Sequence, residues 1–269
     1  MASNPGSASV DVLVLRAGAG EPRRDEVVVE EPLEIRLDGA PLVVTMRTPG
    51  HDVELAAGFL VTEGIARDFA AILSIAHCAD DPNAVEVRSE PGAVGIVRPA
   101  QRAFAASSAC GLCGKTTLEE LRTRAAPLHG DATRTDAKLL CTLPARLREM
   151  QPLFRSTGAL HAAGLFTTDG ELLSAREDVG RHNAVDKVVG WAALEGRLPL
   201  SGTILLASGR AGFEIAQKAL VAGIPILASI SGPSSLAVEL ARENGLALCA
   251  FLRGETFTVY AGAERIRFP

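Results

Sequence analysis

The sequence predicts an α/β fold with a mixed, largely parallel sheet in the C-terminal part and a smaller β-rich N-terminal part, and three observations predict it. The last third of the chain alternates strand and helix: residues 203–207, 225–230 and 246–252 are apolar strand-like runs, and the first two lead through Ser-Gly turns into helices ending near Val221 and Glu243. The first 48 residues instead hold short β-rich runs with hairpin signals. Finally, 269 residues that are 47% hydrophobic and 22% charged can bury a full core in two closely packed parts. The aperiodic stretch 126–136 is the boundary, giving an N-terminal part over 10–125 and a C-terminal part over 136–269.

Taken in order, residues 1–9 are small and polar and are expected to lack structure. Strands are expected at 10–16, 26–30, 33–37 and 42–48, with Asp38-Gly39 as a hairpin turn. Asp52 is placed as the N-cap of a helix whose stripe is Leu55, Phe59, Ala56 and Leu60, and Gly64 fits its end. His51 and Glu54 read equally as a solvated helix start or as functional groups. Weak strands at 84–88 and 92–97 lead to a dithiol loop, and Thr117 with Glu120 forms a capping-box pattern for a helix after it.

Beyond the boundary, a helix is expected near 144–150 and a buried strand over 158–167, turning at Asp169-Gly170. His161 in that strand is a core histidine unless the strand lines a pocket. The charged stretch 176–183 reads as a functional loop before a helix capped by Asn183 and stopped by Gly196. The uncharged run 219–238 is broken by glycines and prolines and reads as a buried strand between two helix pieces, not a membrane span.

The chemistry centres on Cys110-Gly111-Leu112-Cys113-Gly114-Lys115. A thiol facing the start of a helix is pushed toward thiolate by backbone N–H groups, and Lys115 adds to this if it folds back. Such a pair suits three uses: two ligands of a zinc site, a redox dithiol, or a sulfur carrier with one activated thiol. Five cysteines, an odd number, fit free thiols in a reducing cytoplasm; Cys78, Cys141 and Cys249 sit among apolar neighbours as packing residues. With a formal charge of −5, bulk electrostatics do not favour nucleic acid, so an anionic ligand must meet local basic residues. The loops Ser208-Gly209-Arg210 and Arg253-Gly254 supply them at one sheet edge and, with the backbone N–H groups of the Ser231-Gly232-Pro233 turn, suggest a nucleotide or other phosphorylated ligand. Neither a P-loop nor a dinucleotide-binding glycine motif occurs in the right setting.

Together, residues 108–114, the segment Glu177-Asp178-Val179-Gly180-Arg181-His182-Asn183-Ala184-Val185-Asp186-Lys187, Glu63-Gly64-Ile65, Ser208-Gly209-Arg210 and residues 233–239 resemble the FdhD family of formate dehydrogenase accessory sulfurtransferases, from about Asp25 to the C-terminus. The resemblance implies a cytidine-deaminase-like three-layer C-terminal part. It implies that sulfur passes as a persulfide from a cysteine desulfurase to Mo-bis(molybdopterin guanine dinucleotide), so that apo formate dehydrogenase becomes active. Cys110 would then bear the persulfide and Cys113 act beside it. Phe251, Leu252, Arg253, Gly254, Glu255 and Thr256 would contact the cofactor, with Ser208, Gly209, Arg210, Arg181 and His182 contributing from neighbouring loops. Glu255 departs from relatives that carry two basic residues and a proline in this loop. A cytoplasmic homodimer, with no membrane or nucleic-acid partner and no metal held by the protein itself, completes the expectation. Two rivals remain: a non-catalytic cofactor chaperone, and a zinc-dependent deaminase, whose His-x-Glu signature the sequence lacks.

Overall fold

A computed structural model describes residues 6–66, 68–92 and 127–268. The chain opens with a two-stranded hairpin, β1 (Ser7–Arg16) and β2 (Ala19–Val28), turning at Ala17-Gly18. The order expected at 26–30 thus begins earlier, at Ala19, and residues 7–9 belong to a strand. The polar run Glu21–Glu26 carries no strand signal of its own; pairing with the apolar β1 supplies it.

β3 (Glu31–Leu37) and β4 (Ala40–Arg47) form the expected hairpin, with Asp38 and Gly39 at φ of 49° and 82° in its turn. They join β5 (Ile72–Cys78) and β6 (Asp81–Ser89) in a four-stranded sheet of order β4-β3-β6-β5, where β3 and β6 run parallel. β5 was not legible because its residues are exposed or half-buried and show no clean alternation.

Helix α1 (Asp52–Thr62) lies over this sheet, with Leu55, Ala56 and Leu60 packed against Leu33, Ile35, Val85 and Val87. Asp52 is not its cap: His51 takes that position in the left-handed region, φ 61°, and Asp52 pairs with Arg47 at 2.9 Å. A buried guanidinium needs a carboxylate more than a first turn needs an Asp cap.

The C-terminal part is a six-stranded sheet of order β13-β12-β11-β10-β8-β9. Its strands are β8 (His161–Thr167), β9 (Leu172–Asp178), β10 (Thr203–Ala207), β11 (Ile226–Ser229), β12 (Ala247–Arg253) and β13 (Thr256–Ala261). The sheet is mixed as expected, but only its centre is parallel: β10, β11 and β12 run together, and β8, β9 and β13 are antiparallel to their neighbours. Strand–helix alternation predicts parallel pairing only for the strands it joins; the hairpins β8–β9 and β12–β13 add antiparallel edges.

Helices cover both faces. α4 (Arg181–Leu194), α5 (Phe213–Val221) and α6 (Ser235–Asn244) pack on Ala163, Leu165, Leu205, Leu227 and Leu248. α2 (Ala137–Glu149) packs through Leu140, Leu143 and Leu147 on the opposite face, against Phe166, Ile204, Leu206 and Cys249. Along β10, β11 and the first half of β12 these two sets alternate, as a sheet buried on both sides demands. α2 begins seven residues before the expected start at Pro144, which lies inside it. The short α3 (Pro152–Thr157) follows, and Gly158, φ 69°, ends it, so the strand expected from 158 begins at His161. The chain end returns as β14 (Ile266–Arg267) to pair with β7 (Thr135–Asp136).

α1 and α4 cross at backbone contact and join the two parts. A Cβ on Gly58 would stand 1.8 Å from the Asp186 carbonyl oxygen, and one on Gly190 1.8 Å from that of Glu54. Around the crossing, Lys218 Nζ donates to Asp186 at 2.8 Å and to Thr62 Oγ1 at 2.8 Å, while Arg176 pairs with Glu54 through both carboxylate oxygens. Lys218 and Asp186 are buried and Arg176 and Glu54 half-buried, and each has its opposite charge, as burial requires.

Candidate ligand site at the sheet edge

Because β8 and β9 are antiparallel to their neighbours, the start of β8 and the end of β9 lie at the same edge as the C-terminal ends of β10, β11 and β12. That edge collects His161, Asp178, the loops after three parallel strands and the N-termini of α4, α5 and α6. It is the place where an α/β sheet offers backbone N–H groups to an anionic ligand.

Hydrogen bonds tie the loops together. Ser208 N–H donates to the Ala162 carbonyl at 2.9 Å, and Ala162 N–H donates to Ser208 Oγ at 2.8 Å, so this serine continues the β8–β10 ladder. Ser229 Oγ donates to the Gly209 carbonyl at 2.7 Å. Ala211 N–H donates to the Gly232 carbonyl at 3.1 Å, and Phe251 N–H to the Ser231 carbonyl at 3.2 Å. Gly209 leaves room for its neighbours: a Cβ there would lie 3.2 Å from His161 Nδ1 and 3.4 Å from the Arg181 Cβ. Arg210 is exposed beside it.

Phe251 sits at φ 58°, a region that costs a bulky residue about 1–3 kcal/mol, and is 41% exposed. Its ring rests on Gly232, where a Cβ would come within 2.7 Å of it, with Tyr260 at 6.5 Å between centroids. The Arg253 guanidinium stands 6.0 Å from the same ring centroid. Leu252 turns inward and is 1% exposed, so of the expected cofactor segment its side chain belongs to the core. Arg253, Gly254, Glu255 and Thr256 are exposed, with Thr256 Oγ1 donating to the Arg253 carbonyl at 3.1 Å.

The charged stretch 176–183 is only in part a loop. β9 runs through Asp178, the turn is Val179-Gly180, and α4 starts at Arg181 with Gly180 in the cap position. Asn183 is not the cap: its amide donates to the Met46 carbonyl at 2.8 Å and to Asp178 Oδ1 at 3.0 Å. Asp178 also meets Lys187 Nζ at 2.7 Å, and Glu177 accepts the N–H groups of Leu153 and Phe154 at the start of α3. Polar residues that look solvated in sequence are here fasteners between elements.

Arg181 is half-buried and His182 buried at the edge itself. His182 Nε2 has no hydrogen-bond partner among the described residues and stands 3.5 Å from Glu214 Oε2, in the first turn of α5. His182 chiefly holds the Glu214 carboxyl below its ordinary range, against the opposing effect of burial. Burial, then Arg181 and His182, push His161 down. Cys110 and Cys113, the strand expected at 92–97 from residue 93 on, and the helix expected after Lys115 lie outside the described residues.

The model of the FdhD/NarQ family matches residues 28–267. The chain belongs to this family. Over 264 residues it is 53% identical to the sulfur carrier protein FdhD of Streptomyces avermitilis, spanning 95% of this chain and 94% of that one. It is 45% identical to the FdhD of Anaeromyxobacter dehalogenans, over 98% and 96% of the two chains. A crystal structure described as a formate dehydrogenase accessory protein from Desulfotalea psychrophila superimposes with a TM-score of 0.80 at 28% identity, covering 98% of this chain and all of that one.

Within this FdhD/NarQ fold, the sequence reading missed Glu214. The signal for Glu214 was its place three residues after the Arg210-Ala211 step in a helix start otherwise apolar, facing a histidine in the previous helix start. Gly232 was legible as part of a sheet-edge loop, but not its contact with the Phe251 ring, which depends on an aromatic side chain from another strand.

Proposed function

We propose that this protein is a sulfur carrier that serves a formate dehydrogenase. The observation that carries the reading is its likeness, over nearly the whole of both chains, to relatives named sulfur carrier protein FdhD. The pair Cys110-Gly111-Leu112-Cys113 supports it by supplying thiols suited to carrying sulfur.

In this reading the Cys110 thiolate attacks the outer sulfur of a persulfide on a cysteine desulfurase. The new S–S bond forms at Cys110 as the old one breaks, and the desulfurase cysteine leaves as thiolate. Cys113 then either shields the Cys110 persulfide or attacks Cys110 Sγ, closing a disulfide and releasing hydrosulfide to the acceptor. The acceptor is the substrate Mo-bis(molybdopterin guanine dinucleotide), held at the sheet edge. Support for a large, flat, phosphorylated ligand comes from exposed Arg210 and Arg253, three converging helix N-termini and the exposed ring of Phe251.

The same proposal takes in a cytidine-deaminase-like C-terminal part, supported by a six-stranded mixed sheet covered by helices on both faces, and keeps the division at 10–125 and 136–269. It includes a homodimer working in the cytoplasm. Among the described residues no helix is long and apolar enough to cross a membrane. Replacing Cys110 with Ala in cells that depend on this protein for formate dehydrogenase activity tests the reading. Loss of activation is expected, and full activation by the variant would remove it.

A further inference from the structure

The hairpin β1–β2 belongs to neither of the larger sheets and takes no part in the carrier chemistry. It is tied to the rest of the fold where Val29 N–H donates to the Gly6 carbonyl at 3.0 Å and where β2 touches α3. Leu13 and Leu15 are 63% and 72% exposed on one face of β1, and Val10, Val12 and Val14 are half-buried on the other. A lone two-stranded ribbon is marginal in water, and three or more strands with an apolar face are needed for stability.

The two edges of the ribbon differ. β2 carries Pro22 and the charged residues Glu21, Arg23, Arg24, Asp25 and Glu26, the devices that keep an edge strand from pairing. β1 has only Asp11 and Arg16 among small and apolar side chains, and its outer edge pairs with no strand among the described residues. A long apolar edge of this kind is a template for another strand, and this one is complementary to itself. When two copies of β1 run antiparallel about a two-fold axis at Val12, Val10 faces Val14 of the second copy, Val12 faces Val12, Leu13 faces Asp11 and Leu15 faces Ser9. An axis at Asp11 opposes two carboxylates directly, and an axis at Leu13 shortens the ladder and sets Arg16 against Val10.

We propose that the outer edge of β1 pairs with β1 of a second copy of this chain, about an axis at Val12, to give one four-stranded antiparallel sheet. The valine ladder lines one face of it, the two Leu13 side chains meet diagonally on the other, and both outer edges are the charged β2. A second copy fits because this register covers the apolar edge with its like and opposes no like charges. The inference deepens the homodimer proposed above by naming the surface that forms it.

The test is sedimentation velocity of the full chain over a dilution series, with thermal melts to show that each variant is folded. The wild-type protein is expected to be a dimer. Leu13 is exposed within one chain, so its replacement reports pairing rather than folding. Leu13→Asp meets Asp11 of the second copy at two symmetric places and is expected to weaken the dimer by about tenfold or more relative to Leu13→Lys, which meets the same carboxylate with the opposite charge. Adding Asp11→Lys to Leu13→Asp is expected to restore the dimer, and Val12→Lys, which brings two ammonium groups together at the axis, to leave a monomer. Folded Leu13→Asp and Val12→Lys proteins as dimeric as wild type would overturn this surface and place the dimer elsewhere. Equal weakening by Leu13→Asp and Leu13→Lys would overturn the pairing about Val12. A wild-type protein that stays monomeric at every concentration would overturn both this surface and the homodimer, while leaving the sulfur-carrier reading intact.

Discussion

Replacing Gly190 with Ala perturbs the joint on which the placement of α4 depends. The added Cβ would lie 1.8 Å from the Glu54 carbonyl oxygen and 2.6 Å from Gly58 N, both backbone atoms, so α1 and α4 must part by roughly an ångström. Alanine in a helix interior otherwise gains about 1 kcal/mol over glycine. Against this stand overpacking, about 1–3 kcal/mol, and loosening of the Lys218–Asp186–Thr62 and Arg176–Glu54 contacts that straddle the crossing. The expected net loss is about 3 kcal/mol, read by urea denaturation with Trp191 fluorescence. Gly130→Ala, which meets nothing within 4 Å, serves as the control and is expected within about 0.5 kcal/mol of wild type. A Gly190→Ala protein as stable as wild type would refute the claim that backbone contact holds the two parts together.

The Asp186–Lys218 pair is buried on both sides, so Lys218→Met strands a carboxylate and should cost about 3–5 kcal/mol in the same assay; a loss below 1 kcal/mol would contradict it. Glu54 titrates at about 2 in the folded protein, where burial is outweighed by Arg176 and then His51. Its stabilisation is therefore full above the ordinary value of 4.5 and disappears as pH falls toward 2. Glu54→Gln should flatten the stability profile over that acid range, on the order of 2 kcal/mol, and an unchanged slope would count against the pairing. Cys249, pushed up to about 12 by burial, should resist alkylation in the native protein at pH 8 and react once it is unfolded.

The sheet centre was legible because strand–helix alternation with Ser-Gly turns leaves a strong local signal at Thr203–Ala207, Ile226–Ser229 and Ala247–Arg253. So was the gathering of Ser208, Arg210 and Arg253 at one edge, since parallel strands send their loops the same way. β5 and β9 were hidden, the first by weak alternation and the second by charges whose partners lie far along the chain. Arg176 meets Glu54 and Glu177 meets the start of α3, so the polar run at 176–178 is strand rather than loop. Asn183 looked like a cap and is an internal fastener to Met46 and Asp178 for the same reason. Long-range pairing of buried polar groups leaves no periodic trace in sequence. The family resemblance, by contrast, rested on short motifs, and the FdhD/NarQ match over 28–267 bears it out.

The most direct measurement is mass spectrometry of the purified protein after incubation with a cysteine desulfurase and cysteine. One additional sulfur on the peptide bearing Cys110, absent from a Cys110→Ala variant, is the expected result. A Cys110 peptide that gains no sulfur while the desulfurase is loaded and turning over would contradict the account at its centre.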